Sequence, residues 1–184
     1  KKHTLFLAVL LASGSLLAQN IQFQDSAFKQ ALLNHSPAVD LDLDGEISIQ
    51  EAEALTTIDV SSKGISSMVE LPNFVNLTSL NCIDNNLTSL NVWSNTKLNF
   101  LLVSRNKITS LDVRILLNLV NFDCSSNELT SLLIGNHDHL NGIDCSVNKL
   151  SSIKLTGCKV LRTFKGHQNE FQIQIIIFHQ CKLR

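Results

Sequence analysis

The sequence repeats itself every 21 residues, and this period limits the possible folds more than any other feature. Asparagine recurs at this interval at Asn85, Asn106, Asn127, Asn148 and Asn169. Leucine keeps the same interval at Leu77, Leu98, Leu119, Leu140 and Leu161. A fixed period of this length is typical of a solenoid, because one copy cannot bury its apolar face alone and must stack on its neighbours. We therefore predict a stack of similar units.

Each unit contains a short predicted strand. The unit that begins at Leu77 reads L-x-x-L-x-C-x-x-N-x-L-x-x-L-x-V, and a diverged copy begins at Leu55. Around Cys82 apolar residues alternate with polar ones, which indicates a strand whose alternate side chains point into the stack. Stacking then pairs these strands in parallel in one sheet. One inward column is expected to contain Leu80, Leu101, Phe122 and Ile143.

The second half of each unit nearly copies the first half. Residues 77–82 read LTSLNC and residues 87–92 read LTSLNV, and Thr, Ser and Val favour extended backbone. We therefore expect extended segments or short strands on the convex side instead of long helices. The repeated asparagine is expected to satisfy buried backbone groups where the chain leaves the strand, because a carboxamide both donates and accepts hydrogen bonds.

The motif resembles the leucine-rich repeat, whose signature is L-x-x-L-x-L-x-x-N/C-x-L. The short unit is similar to the internalin-like repeats of bacterial surface proteins, and the resemblance covers roughly Leu55 to Phe171. It implies an α/β-type leucine-rich-repeat solenoid with short parallel strands in one sheet. It also implies a protein that is exported by a bacterium and makes protein contacts at the cell surface or with a host.

The chain divides into three predicted parts. Residues 1–18 begin with basic residues, continue as an apolar run and end at a small residue, Ala18. This pattern is typical of a signal peptide and favours export over an ordinary N-terminal helix. Residues 19–54 are predicted to form a helical cap, and residues 55–184 form the solenoid. The pattern becomes irregular after residue 170, where residues 171–178 are expected to form a strand but not a second half-repeat. Either a truncation or a departure from the original reading frame explains this end.

The cap contains a predicted helix and a calcium-loop motif. Asp25 and Ser26 are expected to start a helix that ends before Pro37 and covers the edge of the first repeat. Residues 40–51 satisfy D-x-[DN]-x-[DN]-G-x5-E, which resembles an EF-hand loop or a dockerin calcium loop. Carboxylate and carbonyl oxygens suit a calcium ion with a structural role; the alternative is an acidic, solvated turn. The predicted ligands are Asp40, Asp42, Asp44, Glu46 (through its backbone carbonyl), Ser48 and Glu51.

The cysteines and histidines indicate no other metal site. Cys82, Cys124 and Cys145 occupy the inward strand position and are expected to be small buried hydrophobic residues. Cys158 and Cys181 fall outside that position, and whether they form a disulfide stays open. His137 and His139 are expected to form a solvated pair in a turn.

The residues that flank each inward side chain should form one outward wall. One outward column is predicted to contain Asp59, Asn81, Leu102, Asp123, Asp144 and Lys165. Phe100 belongs to the neighbouring column, and with Leu102 it forms an apolar spot on a polar, mildly acidic surface. An exposed aromatic residue on a rigid sheet is a reasonable anchor for a protein partner. Single exposed apolar residues also occur without any function.

Composition and motifs exclude several functions. Charged residues are 17% of the chain and the formal net charge is -1, so no basic footprint for nucleic acid is present. The G-x-S-x-G and H-E-x-x-H motifs and a phosphate-binding glycine loop do not occur, so we expect no enzyme. The apolar run in residues 1–18 is too short for a comfortable membrane helix, and we expect no transmembrane segment in the mature chain. The predicted function is non-catalytic protein binding or adhesion. The alternatives are a recognition module or a spacer in a larger exported enzyme or adhesin.

Overall fold

A computed structural model describes residues 19–171 and 176–177. The helices are α1 (Ser26–Leu33) and α2 (Ile49–Ala54), and one 3-10 turn spans Leu71–Asn73. The strands are β1 (Thr57–Asp59), β2 (Ser79–Asn81), β3 (Phe100–Leu102), β4 (Ser110–Asp112), β5 (Asn121–Asp123), β6 (Ser131–Leu133), β7 (Gly142–Asp144), β8 (Ile153–Lys154), β9 (Thr163–Lys165) and β10 (Ile176–Ile177). The predicted leucine-rich-repeat solenoid is confirmed, with strands stacked in parallel and little helix.

The first half of each repeat contributes one strand to a six-stranded parallel sheet. Its order is β1-β2-β3-β5-β7-β9, and every pair keeps the register of the sequence repeat. The predicted inward column is confirmed, because Leu80, Leu101, Phe122 and Ile143 are successive partners and all are buried. The sheet therefore has one face in the core and one face in solvent.

The second half of each repeat is extended, as predicted. Strand β4 pairs in parallel with β6, and β8 pairs in parallel with β10. The strand expected within residues 171–178 is present at Ile176–Ile177, and it departs from the 21-residue period. Ile176 pairs with Ile153 of β8, two residues later than a 21-residue period would place it.

Each repeated asparagine bonds to the backbone of two repeats. The Nδ2 group of Asn127 donates to the carbonyl oxygens of Cys124 at 3.2 Å and of Val103 in the preceding repeat at 3.0 Å. Its Oδ1 atom accepts the N–H of Ile108 at 3.0 Å. Asn106 and Asn148 repeat this pattern. The predicted hydrogen bonding of the repeated asparagines to buried backbone groups is therefore confirmed.

Helix α1 is tied to the first repeat through its N-cap. The Oδ1 atom of Asp25 accepts from the N–H of Ala27 at 2.8 Å and of Phe28 at 3.2 Å, which confirms the predicted start of the helix. The Oδ2 atom accepts from the N–H of Ser66 at 2.6 Å and of Ser67 at 3.0 Å. Burial disfavours the charged form of Asp25, but these backbone hydrogen bonds outweigh it and lower the pKa. One carboxylate therefore caps the helix and joins it to the solenoid.

A left-handed residue precedes the repeated asparagine in every repeat. These residues are Ser62, Asp84, Arg105, Ser126, Val147 and Gln168, with φ between 54° and 58°. In the first of these repeats Lys63 takes the place of the asparagine. None of the six is glycine, although glycine adopts this conformation at the lowest cost. The cost is largest for Val147, whose branched side chain disfavours positive φ. The asparagine hydrogen bonds and the strand pairing on either side hold the turn in this form.

The cysteines in the strand position are buried as predicted, and burial raises the pKa of the Cys82 thiol to about 12. Cys158 is also buried, and Cys181 lies outside the described residues. The expectation of a solvated pair is wrong for His137, whose side chain is fully buried. His137 is 21 residues after the buried Leu116, so the repeat carries it into the interior.

His137 should make the stability of the solenoid depend on pH. Burial lowers the pKa of its imidazole below the ordinary 6.5, and the nearby carbonyl groups of Leu116 and Val113 oppose this only in part. The unfolded chain then binds a proton at a higher pH than the folded chain. The stability that depends on a neutral His137 is therefore fully present above pH 6.5. It falls as the pH drops towards the folded pKa, by at most about 1.4 kcal/mol per pH unit.

Urea midpoints at about pH 7.5 and about pH 5 measure this effect. The control is His137→Leu, which gives position 137 the residue type of the equivalent position 116 and removes the titrating group. We expect a smaller loss of stability at acidic pH in this variant than in the parent. An equal loss in both proteins would contradict the assignment.

Candidate functional site

The solvent-exposed face of the six-stranded sheet is the candidate binding surface. The strand register places the predicted outward residues in one column, which contains Asp59, Asn81, Leu102, Asp123, Asp144 and Lys165. Because adjacent parallel strands lie about 4.8 Å apart, the column spans the whole sheet as a continuous row. The structure thus brings together the side chains that the sequence predicted to share a surface.

Phe100 and Leu102 lie on the same strand and point to the same side of it. Phe100 is 42% exposed, whereas Leu102 is half-buried by its neighbours. Leu101 between them is fully buried, which fixes the orientation of the strand. The two residues give the face an apolar spot on a backbone that cannot rotate without disrupting the core.

The three aspartates of the column differ in their partners. Asp59 accepts hydrogen bonds from Ser61 and Asn81, and Asp144 accepts them from Ser146. Burial disfavours the charged form at both positions, but these hydrogen bonds outweigh it and lower both pKa values.

Lys165 adds an ion pair to only one of these carboxylates. Its Nζ atom lies 3.3 Å from Oδ2 of Asp144. Asp123 accepts one hydrogen bond, from the N–H of Ser125 at 2.9 Å, and has no ion pair within the described residues. Asp59 also has no ion pair within the described residues, but it accepts hydrogen bonds from two residues, so Asp123 is the carboxylate of the column with the fewest partners.

A groove of about 380 Å³ crosses the face from β3 to β9. Gly142 lies at its floor, in the column that holds Asn121 on one side and Thr163 on the other. Gly142 was not predicted as a site residue. The available signal was that glycine interrupts a column of larger side chains.

The three aspartates of the calcium-type loop lie close together. Asp40, Asp42 and Asp44 each offer an oxygen, and these oxygens all lie within 4.8 Å of one another. Leu43 and Gly45 have φ of 64° and 80°, so the loop turns sharply between the carboxylates. A hydrogen bond from the N–H of Asp44 lowers the pKa of Asp42, but desolvation and the like charges of Asp44, Glu51 and Asp40 together outweigh it and raise the pKa.

The other predicted ligands are engaged in the folding of the cap. Ser48 and Glu51 form the capping box of α2, and Oε1 of Glu51 also accepts the N–H of Leu41 at 2.7 Å. The Glu46 side chain bonds to Lys29 of α1 at 2.6 Å, which leaves its backbone carbonyl as the predicted ligand. The three converging aspartates fit a hard cation such as calcium, which prefers oxygen ligands.

The loop is also connected to the start of the described chain. The N–H of Ile21 donates to the carbonyl of Ile47 at 2.8 Å, and the N–H of Ile49 donates to that of Gln19 at 3.0 Å. Residues 19–21 therefore lie beside the end of the loop as an antiparallel partner.

No family model and no curated protein matches the sequence. Among solved structures, the internalin InlF of Listeria monocytogenes matches with a TM-score of 0.55 and 19% identity, over 86% of this chain and 61% of InlF. The functional domain of InlJ from the same organism, which includes a cysteine ladder, matches with a TM-score of 0.46 and 25% identity, over 67% of this chain. Internalin C2 from Listeria monocytogenes matches with a TM-score of 0.47 and 19% identity, over 82% of this chain and 87% of that protein.

The likeness to InlF shows that this chain has the solenoid fold of an internalin. Because the identity is only 19%, this likeness is evidence for the fold and for nothing else. The chain spans 37% of the solved InlJ domain and 61% of the solved InlF chain. Within residues 19–171 and 176–177, no helix has both the length and the apolar character needed to cross a membrane.

Proposed function

We propose that this chain is a non-catalytic protein-binding or adhesion module of a secreted or cell-surface bacterial protein, and that its partner binds to the exposed face of the six-stranded sheet. The observation that carries the proposal is the regular register of the six strands, which places one row of outward side chains across the sheet. Residues 1–18, the predicted signal peptide that would direct export, lie outside the described residues.

The physical basis is preorganisation of the binding surface. The backbone of each strand is held by its neighbours and by a buried side chain, so little conformational entropy is lost when a partner binds. Phe100 supplies an exposed aromatic ring, and aromatic residues are frequent among the side chains that dominate binding energy. The surrounding polar residues would form the rim of such an interface.

Substitution of the apolar spot tests the proposal. Phe100→Ser combined with Leu102→Ser should abolish capture of a purified partner by the chain, because it removes the anchor while leaving the buried side of β3 intact. Trp93→Ser is the matched control, since Trp93 is 58% exposed but lies in the second half of its repeat. Loss of binding in the control, or full binding by the double variant, would contradict the proposed face.

A recognition module or a spacer in a larger exported enzyme or adhesin is the second candidate. The chain covers only part of the length of InlF and InlJ, which is compatible with a module of a longer protein. A spacer should tolerate Phe100→Ser with Leu102→Ser without any loss of function in the intact parent protein. A recognition module should not tolerate it.

We further propose that loop 40–51 binds a calcium ion that braces the cap against the first repeat. The support is the convergence of Asp40, Asp42 and Asp44. The loop also contacts α1 through Glu46 and Lys29, and α1 contacts the first repeat through Asp25. An ion that draws the three carboxylates together would relieve their mutual repulsion and stabilise this chain of contacts.

Calcium should therefore raise the melting temperature of the chain. At a free concentration one hundred times the Kd, binding to the folded state adds about 2.7 kcal/mol of stability. Asp42→Ala should remove the calcium-dependent part of the increase, whereas Asp138→Ala, which removes an exposed carboxylate outside the loop, should retain it. A melting curve that does not change with calcium, in the parent and in Asp42→Ala alike, would eliminate the proposal.

A further inference from the structure

We infer that the groove at Gly142 binds an arginine side chain of the protein partner, and that an apolar residue beside this arginine packs on Phe100 and Leu102. The inference rests on the proposed function and assigns the chemistry of its partner. It is carried by the shape of the groove at Gly142, by the unbalanced charge of Asp123 and by the apolar residues on the neighbouring strand.

The glycine at the floor of the groove is not required by the backbone. Gly142 is not among the residues with positive φ, so other residues can adopt its conformation. A Cβ atom built on Gly142 would lie 3.1 Å from Oδ1 of Asn121, closer than ordinary van der Waals contact. The absence of a side chain at Gly142 therefore leaves space above β7. It also allows the side-chain amide of Asn121, on the adjacent strand β5, to reach the edge of that space.

Two oxygen acceptors line the same side of this space. Asn121 and Asp123 are two residues apart on β5, so their side chains project to the same face at a separation of about 7 Å along the strand. Within the described residues the Asn121 side chain makes no hydrogen bond, and Asp123 accepts only the N–H of Ser125. The remaining lone pairs of both side chains are available to a ligand.

The local charge favours a cation. Asp123 and Asp144 are partners on adjacent strands, and the single ammonium group of Lys165 pairs with Asp144. The three groups together leave a net charge of about -1 at neutral pH. A cationic group placed beside Asp123 would balance the charge and reduce the repulsion between the two carboxylates.

The geometry points to arginine more than to lysine. A guanidinium group is planar and has five N–H donors, so it can donate to the Asp123 carboxylate and to the Asn121 oxygen together. An ammonium group is a compact point charge with strong hydration. Leu102 is the register partner of Asp123, so a residue next to the arginine in the partner would meet an apolar surface.

The test uses two short peptides as probes of the groove. N-acetyl-Leu-Arg-amide presents the guanidinium and an apolar neighbour, and N-acetyl-Leu-citrulline-amide keeps the shape but has no charge. Amide chemical shifts of the isotope-labelled chain report binding. We expect saturable shifts at residues 121–123 and 142–144, with a Kd for the arginine peptide about fivefold below that for the citrulline peptide, as expected for one exposed charge pair.

Three variants locate the site. Asp123→Asn should raise the Kd for the arginine peptide about fivefold and should equalise the two peptides. Gly142→Thr should prevent both peptides from binding, because it fills the groove with the side chain found at Thr163 of the next strand. Asp138→Asn is the matched control, since it removes an exposed carboxylate that lies outside the six-stranded sheet and should leave the Kd unchanged.

Equal binding of the two peptides by the parent, or an unchanged Kd in Asp123→Asn, would overturn the arginine site. Capture of the purified partner distinguishes failure of the arginine site from failure of the proposed function. If Phe100→Ser with Leu102→Ser abolishes capture while Asp123→Asn changes the Kd of neither peptide, the binding face is supported and the arginine site is wrong. If Asp123→Asn weakens the arginine peptide while no variant affects capture, the groove binds the cation and the proposed function is wrong.

Discussion

Asn127→Ala is expected to lower the free energy of unfolding by about 3 kcal/mol, because a buried polar group left without a partner costs about 1–3 kcal/mol. The substitution leaves the N–H of Ile108 without a partner. It also removes one of the two amide donors to the carbonyl oxygens of Val103 and Cys124, which keep their hydrogen bonds from the repeated asparagines on either side. These groups lie between two repeats in the interior, where water does not replace the lost hydrogen bonds. Urea unfolding followed by circular dichroism measures the change.

Asn118→Ala is the matched control for this substitution. Asn118 donates one hydrogen bond, to the carbonyl of Thr96 at 3.2 Å, and it is exposed. Water can replace this bond, so the loss should be within about 0.5 kcal/mol. Similar losses in the two variants would show that the repeated asparagine is not an internal support. Faster hydrogen exchange confined to the Asn127 variant, at the turns on both sides of residue 127, would show where the support acts.

Leu101→Ala should be about as damaging, with an expected loss of about 3 kcal/mol, within the range of 2–5 kcal/mol for removal of a buried leucine side chain. Leu101 is fully buried, and its register partners are Leu80 and Phe122. The cavity would lie in the middle of the stack, where the neighbouring repeats are fixed by their own strand pairing and can collapse only partly.

Leu102→Ala provides the matched control, because it removes the same atoms from the adjacent residue on the opposite face of β3. Leu102 is half-buried, so we expect a loss of about 1 kcal/mol or less. Urea midpoints of the two variants, with the parent as reference, measure the difference. Equal losses would contradict the alternation of buried and exposed residues on which the proposed binding face depends.

Repetition explains why so much of the fold could be predicted. Each repeat offers an independent example of the same pattern, so the alternation around Cys82 and the step of 21 residues predicted both the strand and its register. The role of the repeated asparagine followed from the chemistry of its amide. The start of α1 followed from the preference of aspartate for the N-cap position.

Prediction from the sequence was weakest where one repeat differs from the others. His137 looked like a turn residue because polar neighbours surround it in the sequence, yet the stack places it in the interior beside the position of Leu116. Ile176 joins β8 despite a shift of two residues from the period, because a strand edge can pair with any extended segment that reaches it. Neither the burial of His137 nor the pairing of Ile176 with β8 can be read from the residues next to them in the sequence.

The candidate site was predicted in outline but not in its chemistry. The sequence placed Asp59, Asp123 and Asp144 in one column and could not distinguish among them. Only the structure shows that Lys165 pairs with Asp144 and that Asp123 has no ion pair within the described residues. Likewise Gly142 opens a groove only because Asn121 and Thr163 lie on either side of it. The calcium loop, the signal peptide and the partner remain predictions.

The amino-acid sequence alone determined that this chain stacks short parallel strands and which side of each strand is buried. The 21-residue period predicts the stacking, and the alternation of apolar and polar residues within each repeat predicts the buried side. The tertiary structure decided which outward side chains neutralise one another, where the face is open, and which polar residues are carried into the interior. Those outcomes depend on contacts between residues 21 positions apart, and they are set only when neighbouring repeats pack together.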